Sequence, residues 1–135
     1  MIIRAAQQQQ LKGSAIREGQ GDAFSTLLVK NRLREKSSIV AIAHNVLPPG
    51  SAWGERVQHN TEEVFYILRG EATVTHEGET GTLAPGDLVL SEHGQRLAIR
   101  NDGDEALEFL SLMLAQPKET RPGFLTQGQT PYSRL

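Results

Sequence analysis

Residues 54–70 read GERVQHNTEEVFYILRG. Val64 to Leu68, VFYIL, is an apolar run of strand length, and the Glu62–Glu63 pair stands at its start. Strand alternation lets only one parity face a given side, so Arg56 goes with Gln58, and Val57 with His59. Working outward, Ala72 to Thr75 reads ATVT, and Leu88–Leu90, Leu97–Arg100 and Leu107–Leu114 follow. Upstream lie Phe24–Lys30, FSTLLVK, and Ile39–Leu47, IVAIAHNVL. The breaks between these runs carry turn chemistry. Pro48-Pro49-Gly50 stops one strand because neither proline can donate to a ladder. Glu77-Gly78-Glu79 reads as a hairpin tip, and Pro85-Gly86-Asp87 and Asn101-Asp102-Gly103-Asp104 as turns. No stretch sustains a helical period, the best short candidate being Arg32–Lys36, and there is no internal repeat. Short strands at this spacing predict an all-β sandwich or barrel.

The composition bounds what such a fold can do. A length of 135 residues predicts one domain. Hydrophobic residues are 38% but aromatics only 5%, so the expected core is mostly aliphatic. Fourteen basic against 16 acidic residues leave a formal charge of −2, without the basic excess a nucleic-acid binder needs. No apolar run approaches the roughly 20 residues that span a bilayer. The opening MIIRAAQQQQ has neither a long apolar region nor a cleavage pattern, so the expectation is a cytoplasmic protein without membrane contact. With no cysteine, disulfides, thiolate metal sites and cysteine nucleophiles are excluded, and four histidines limit any metal site. Gln7–Gln10 is read as part of an edge strand or an arm, and residues 116–135, with three prolines, as a tail on the surface or on a partner.

The 54–70 stretch together with residues 86–101, GDLVLSEHGQRLAIRN, resembles the two motif regions of the cupin superfamily. NTEEVFYILRGEATV is similar to small single-domain cupins, as is the pairing of APGD with a strand ending in Asn101. The likeness spans residues 38–114. It implies a double-stranded β-helix, a jelly-roll-like barrel with a pocket inside one end. Residues 1–115 would form the single barrel and 116–135 the tail. It also implies a site where cupins commonly hold Fe, Mn, Ni or Zn through two His and a Glu of the first motif and one His of the second.

The sequence departs from that pattern. Anchored on Asn60-Thr61-Glu62-Glu63-Val64-Phe65, the two histidine positions carry Arg56 and Gln58, and Glu63 keeps the glutamate. A register one residue shorter places Val57 and His59 there, again with Glu63. The first is favoured because a proline often precedes Asn-Thr-Glu-Glu in the family, and His59 stands in its place. Leu97 falls at the second-motif histidine position. Divalent transition metals need about three or more donors for tight binding. Arg56 only donates hydrogen bonds, Gln58 is a weak ligand, and Leu97 offers nothing. The expectation is therefore no metal cofactor, with a divalent metal on Gln58, His59 and Glu63 as the exception. Arg56 with Gln58 suits a carboxylate or phosphate instead, through the planar guanidinium fork.

The other polar residues have plainer readings. His44 shares a face with Ile42 and Val46, and would be a pocket group if that face lined the barrel. His76 reads as solvated and His93 as a rim residue. Trp53 would cap the pocket mouth or pack in a dimer interface. Arg96 and Arg100 share a solvent face. No nucleophile elbow, phosphate loop or His-Glu-x-x-His is present. Three classes of function stay open. The first is a binding cupin with Arg56, Gln58, His59, Glu63 and His44 as candidate ligand contacts. The second is an enzyme, either a metal-dependent dioxygenase or isomerase with unusual ligands, or a metal-free sugar-type isomerase or epimerase using His44, His59 or Glu63. The third is a partner-binding module with a vestigial pocket. A homodimer is expected, with Met1–Leu11 as a swapped or added strand.

Overall fold

Ten strands run along the described part of the chain. The structure, a computed structural model, describes residues 2–30 and 37–115. The strands are β1 (Gln10–Ser14), β2 (Asp22–Lys30), β3 (Ile39–Leu47), β4 (Ala52–Val57) and β5 (Thr61–Arg69). They continue as β6 (Ala72–His76), β7 (Glu79–Leu83), β8 (Leu88–Ser91), β9 (Arg96–Arg100) and β10 (Leu107–Ala115). The only helical turns among the described residues are 3-10 turns at Ala5–Gln7 and Ile16–Glu18. Among the described residues no helix is long and apolar enough to cross a membrane. The helical candidate Arg32–Lys36 and the tail 116–135 lie outside the described residues.

Two antiparallel sheets face each other. One runs β1-β2-β3-β10-β5-β8, the other β4-β9-β6-β7. The sequence places the hairpin tip correctly: Glu77 and Gly78 join β6 to β7, with His76 opposite Glu79. Both have positive φ, 51° and 79°, as a two-residue turn of the strand-matching hand requires. The Met1–Leu11 expectation shifts along the chain, because the edge strand is β1 and it pairs with β2 of its own chain.

The interior is graded along the barrel. At one end Leu47, Ile67, Ala72, Val74, Ile99 and Leu107 form an aliphatic plug. Next come Trp53, Phe65 and Phe109, packed edge to face with centroids 5.0–5.8 Å apart. Such pairs contribute about 0.5–1.5 kcal/mol beyond area burial. Trp53 is thus a core residue rather than a mouth cap or an interface group. At the other end the inward positions turn polar: Asn45, Gln58, Glu63, Ser91 and Ser111 are all buried.

Candidate functional site

The polar end is built by register. In β5, Glu63 shares the inner face with Phe65 and Ile67 by period 2. Its cross-strand neighbours are Ser91 of β8 and Met113 of β10, which share that face. From the opposite sheet, β4 contributes Trp53 against Ile99 and Arg56 against Leu97. The register shifts between Trp53 and Arg56, so one extra residue keeps both on the inner face. Leu97 is fully buried, and Arg56, opposite it, directs its guanidinium inward to lie 3.9 Å from Met113 Sδ. Gln58 follows at the end of β4, also fully buried.

Glu63 is 2% exposed and accepts a two-pronged bond from Arg17, with Nη1–Oε1 and Nη2–Oε2 both 2.8 Å. Fork-to-fork pairing of this kind is the strongest geometry open to a guanidinium and a carboxylate. Gln58 Nε2 adds a third donor to Oε1 at 3.3 Å, while Gln58 Oε1 accepts from the Thr61 hydroxyl at 3.0 Å. The Arg17 guanidinium stacks on the triad, 4.9 Å from the Trp53 ring centre and 6.0 Å from that of Phe65. Beside it, Asn45 accepts from Ser25 (2.8 Å) and donates to Ser111 (2.9 Å). Two buried polar atoms have no hydrogen-bond partner among the described residues, Trp53 Nε1 and Ser91 Oγ. Arg56 has no carboxylate partner there either, its single polar contact being Met113 Sδ.

The sequence candidates therefore separate. Arg56, Gln58 and Glu63 come together inside the barrel. His59 is exposed, on the turn between β4 and β5, where the φ of Asn60 is 57°. His93 holds that turn from the rim, its Nδ1 accepting from the Asn60 N–H at 2.9 Å. The pocket reading of His44 is corrected. The inner face of β3 is Ala43, Asn45 and Leu47, so His44 points outward and pairs with Glu108 at 3.2 Å. His76 is half-buried and hydrogen-bonded to Gln95 at 3.1 Å rather than simply solvated. Arg17 was not legible as a site residue, since its partner lies 46 residues away and no motif surrounds it. Far from the site, the Arg100 guanidinium beside Asp102, helped by Thr73, holds that carboxyl below its usual range.

Metal ligation finds a poor donor set. The positions where the cupin resemblance implies ligands carry Arg56, Gln58, Glu63 and Leu97. Glu63 has both oxygens on Arg17. No group of three His, Cys, Asp or Glu is arranged to hold a metal ion among the described residues. A cation would have to enter beside two guanidinium groups, so the residues do not fit a transition metal.

The comparisons with known proteins agree with this architecture. The Cupin domain family matches residues 43–113. A protein of Thermotoga maritima called an oxalate-binding protein is 30% identical over 115 residues, covering 84% of this chain and 93% of its own. A crystal structure of a predicted oxalate decarboxylase from the same organism superposes with a TM-score of 0.78 at 27% identity, over 85% of this chain and 99% of that one. The cupin domain of an XRE family transcriptional regulator from Enterobacter cloacae shares the fold, with a TM-score of 0.60 at 23% identity, over 71% and 98% of the two chains. With two facing antiparallel sheets, both motif regions in place and a family match over more than half its length, the chain belongs to the cupin family.

Proposed function

We propose that this cupin binds a small anion at the polar end of its barrel, with Arg56 as the receptor and no resident transition metal. One observation carries the reading. The Arg56 guanidinium lies on the inner face, opposite Leu97, and the nearby carboxylate, Glu63, is engaged by a different arginine. A guanidinium in a partly desolvated site without a counter-charge is unfavourable, and an incoming carboxylate or phosphate relieves it. The unpartnered Trp53 Nε1 and Ser91 Oγ lie in the same interior and add hydrogen-bonding capacity. The likeness to a protein called oxalate-binding supports a small carboxylate as the kind of molecule bound.

Acid–base catalysis finds less support. His44 faces outward, His59 is exposed, and Glu63 is held in the Arg17 fork. A general base must reach its substrate's proton with a free lone pair.

Thermal shift with propanoate, oxalate and phosphate, in protein treated with EDTA, tests the proposal. At about a hundredfold excess over Kd a single ligand stabilises by about 2.7 kcal/mol, a clear rise in Tm. Arg56→Met should abolish the shift, and His59→Ala should leave it intact. Elemental analysis of protein purified without added metal should find none in stoichiometric amount. About one metal per chain, lost in Glu63→Ala, would overturn the metal-free part. No stabilisation by any of the anions would overturn the receptor.

A further inference from the structure

Arg17 reaches Glu63 from an unusual piece of backbone. The strap between β1 and β2 holds three non-glycine residues with left-handed φ, Ala15 at 50°, Arg17 at 55° and Glu18 at 59°. Each such residue is unfavourable unless its surroundings impose it. The strap is pinned accordingly. Ala15 N–H donates to Gly21 O at 2.9 Å, and Gln20 and Ala52 exchange two backbone bonds of 2.9 and 2.7 Å. The strap lies so close on β4 that a Cβ at Gly54 would strike the carbonyl oxygen of Arg17, and one at Gly19 would strike that of Ala52. This is much local strain and close packing to deliver one guanidinium.

Without that guanidinium, Arg56 would be the cation left on the same inner face as Glu63 among the described residues. Arg56 contacts Met113, and Met113 is the direct cross-strand neighbour of Glu63. A change of side-chain rotamers would then bring Arg56 and Glu63 together, and the receptor would be neutralised from within.

We propose that Arg17 is a tethered counter-ion that keeps Glu63 off Arg56 and so sets the charge of ligand the site accepts. The inference rests on the anion-binding reading above and deepens it. Arg17 and Glu63 cancel, and among the described residues of that interior Arg56 leaves one positive charge at the polar end. The matching ligand is a monocarboxylate, whose apolar body meets Leu97 and Met113 beside Arg56. A dicarboxylate would bring a second negative charge with no cation assigned to it, and buried charge without a partner is strongly disfavoured.

The test is calorimetry with propanoate and oxalate at pH 7 in EDTA, on the wild-type chain and four variants. Propanoate should bind the wild type at least about tenfold tighter than oxalate, the scale of one charge-assisted contact. Arg17→Met should weaken propanoate about tenfold or more, as Glu63 captures Arg56. The double variant Arg17→Met/Glu63→Gln should recover most of that loss, because no carboxylate remains to compete. Glu63→Gln alone leaves both guanidiniums free, so it should invert the preference towards oxalate; this arm does not depend on Arg17→Met folding. Three results would overturn the inference while leaving the anion receptor standing, provided Arg56→Met still abolishes binding. They are equal affinities for the two anions in the wild type, a double variant as weak as Arg17→Met, and no inversion in Glu63→Gln. A wild type that binds neither anion would overturn the receptor and the inference with it.

Discussion

Asn101 closes β9 and is 1% exposed. Its Nδ2 donates to the carbonyls of Leu47 at 2.9 Å and Glu105 at 2.7 Å, and its Oδ1 accepts from the Gly103 N–H at 3.0 Å. One amide thus satisfies three backbone groups, the buried carbonyl of Leu47 at the end of β3 and two in the 102–106 turn. Asn101→Ala should destabilise the protein by about 1–3 kcal/mol, seen as a lower denaturant midpoint at unchanged slope. Its position at the end of a motif strand was legible from the sequence, whereas its three bonds depend on β3 and the 102–106 turn coming together. Glu63 was legible in the same sense, as the member of its motif that keeps the family's residue type. Its partner was not. A charge-pair reading of the sequence pairs Glu63 with Arg56, the arginine of its own motif. The fold instead supplies Arg17, which nothing in its local sequence singles out.

At the scale of elements, the strands rich in Val, Ile and Leu were readable, and those poor in them were not. β4, AWGERV, and β7, ETGTL, have too few apolar residues to stand out by alternation. Both are strands because neighbours complete their ladders. β4 pairs with β9 and also takes the strap on its edge at the Gln20–Ala52 bridge. Gly54 makes that approach possible, so Gly54→Ala tests how the strap is held. The added methyl would force the Arg17 carbonyl away, with an expected loss of about 1–3 kcal/mol in stability, on the scale of overpacked cores. The same variant should weaken anion binding, because a displaced strap loosens the Arg17–Glu63 fork. An unchanged Tm in differential scanning calorimetry would mean the strap has room to yield.

For the molecule as a whole, the outer face of the larger sheet carries an exposed apolar patch around β8. Leu88 (54% exposed) pairs across from Tyr66, and Leu90 across from Val64. Leu110 and Leu112 continue the same rows on β10. β8 is moreover the edge of its sheet among the described residues, and four residues long. Exposed apolar edges of this kind invite pairing with another chain. A second copy of the chain, meeting this face with its own, is the expected occupant. Light scattering at micromolar concentration should give twice the chain mass of 14.8 kDa. Leu88→Glu/Leu90→Glu should return the mass to one chain without unfolding it. A single-chain mass for the unmodified protein would exclude the dimer.

The fold class, the turns that punctuate the apolar strands, the two motif regions and the weakness of the metal donor set follow from the sequence alone. Each rests on local information: period-2 alternation, turn residues with fixed φ preferences, and residue types at short spacings. What only the tertiary structure decided is which face of each strand turns inward and which distant charge meets which. His44 and Asn45 are neighbours in one alternating strand, and either could have lined the barrel. The packing of β3 against β2 and β10 puts Asn45 inside with Ser25 and Ser111, and leaves His44 with Glu108 outside. Arg17 and Glu63 are 46 residues apart, joined through a strap whose left-handed residues no propensity scale would favour. Pairing over such separations depends on the closure of the whole barrel, and that information is not carried by any short stretch of the chain.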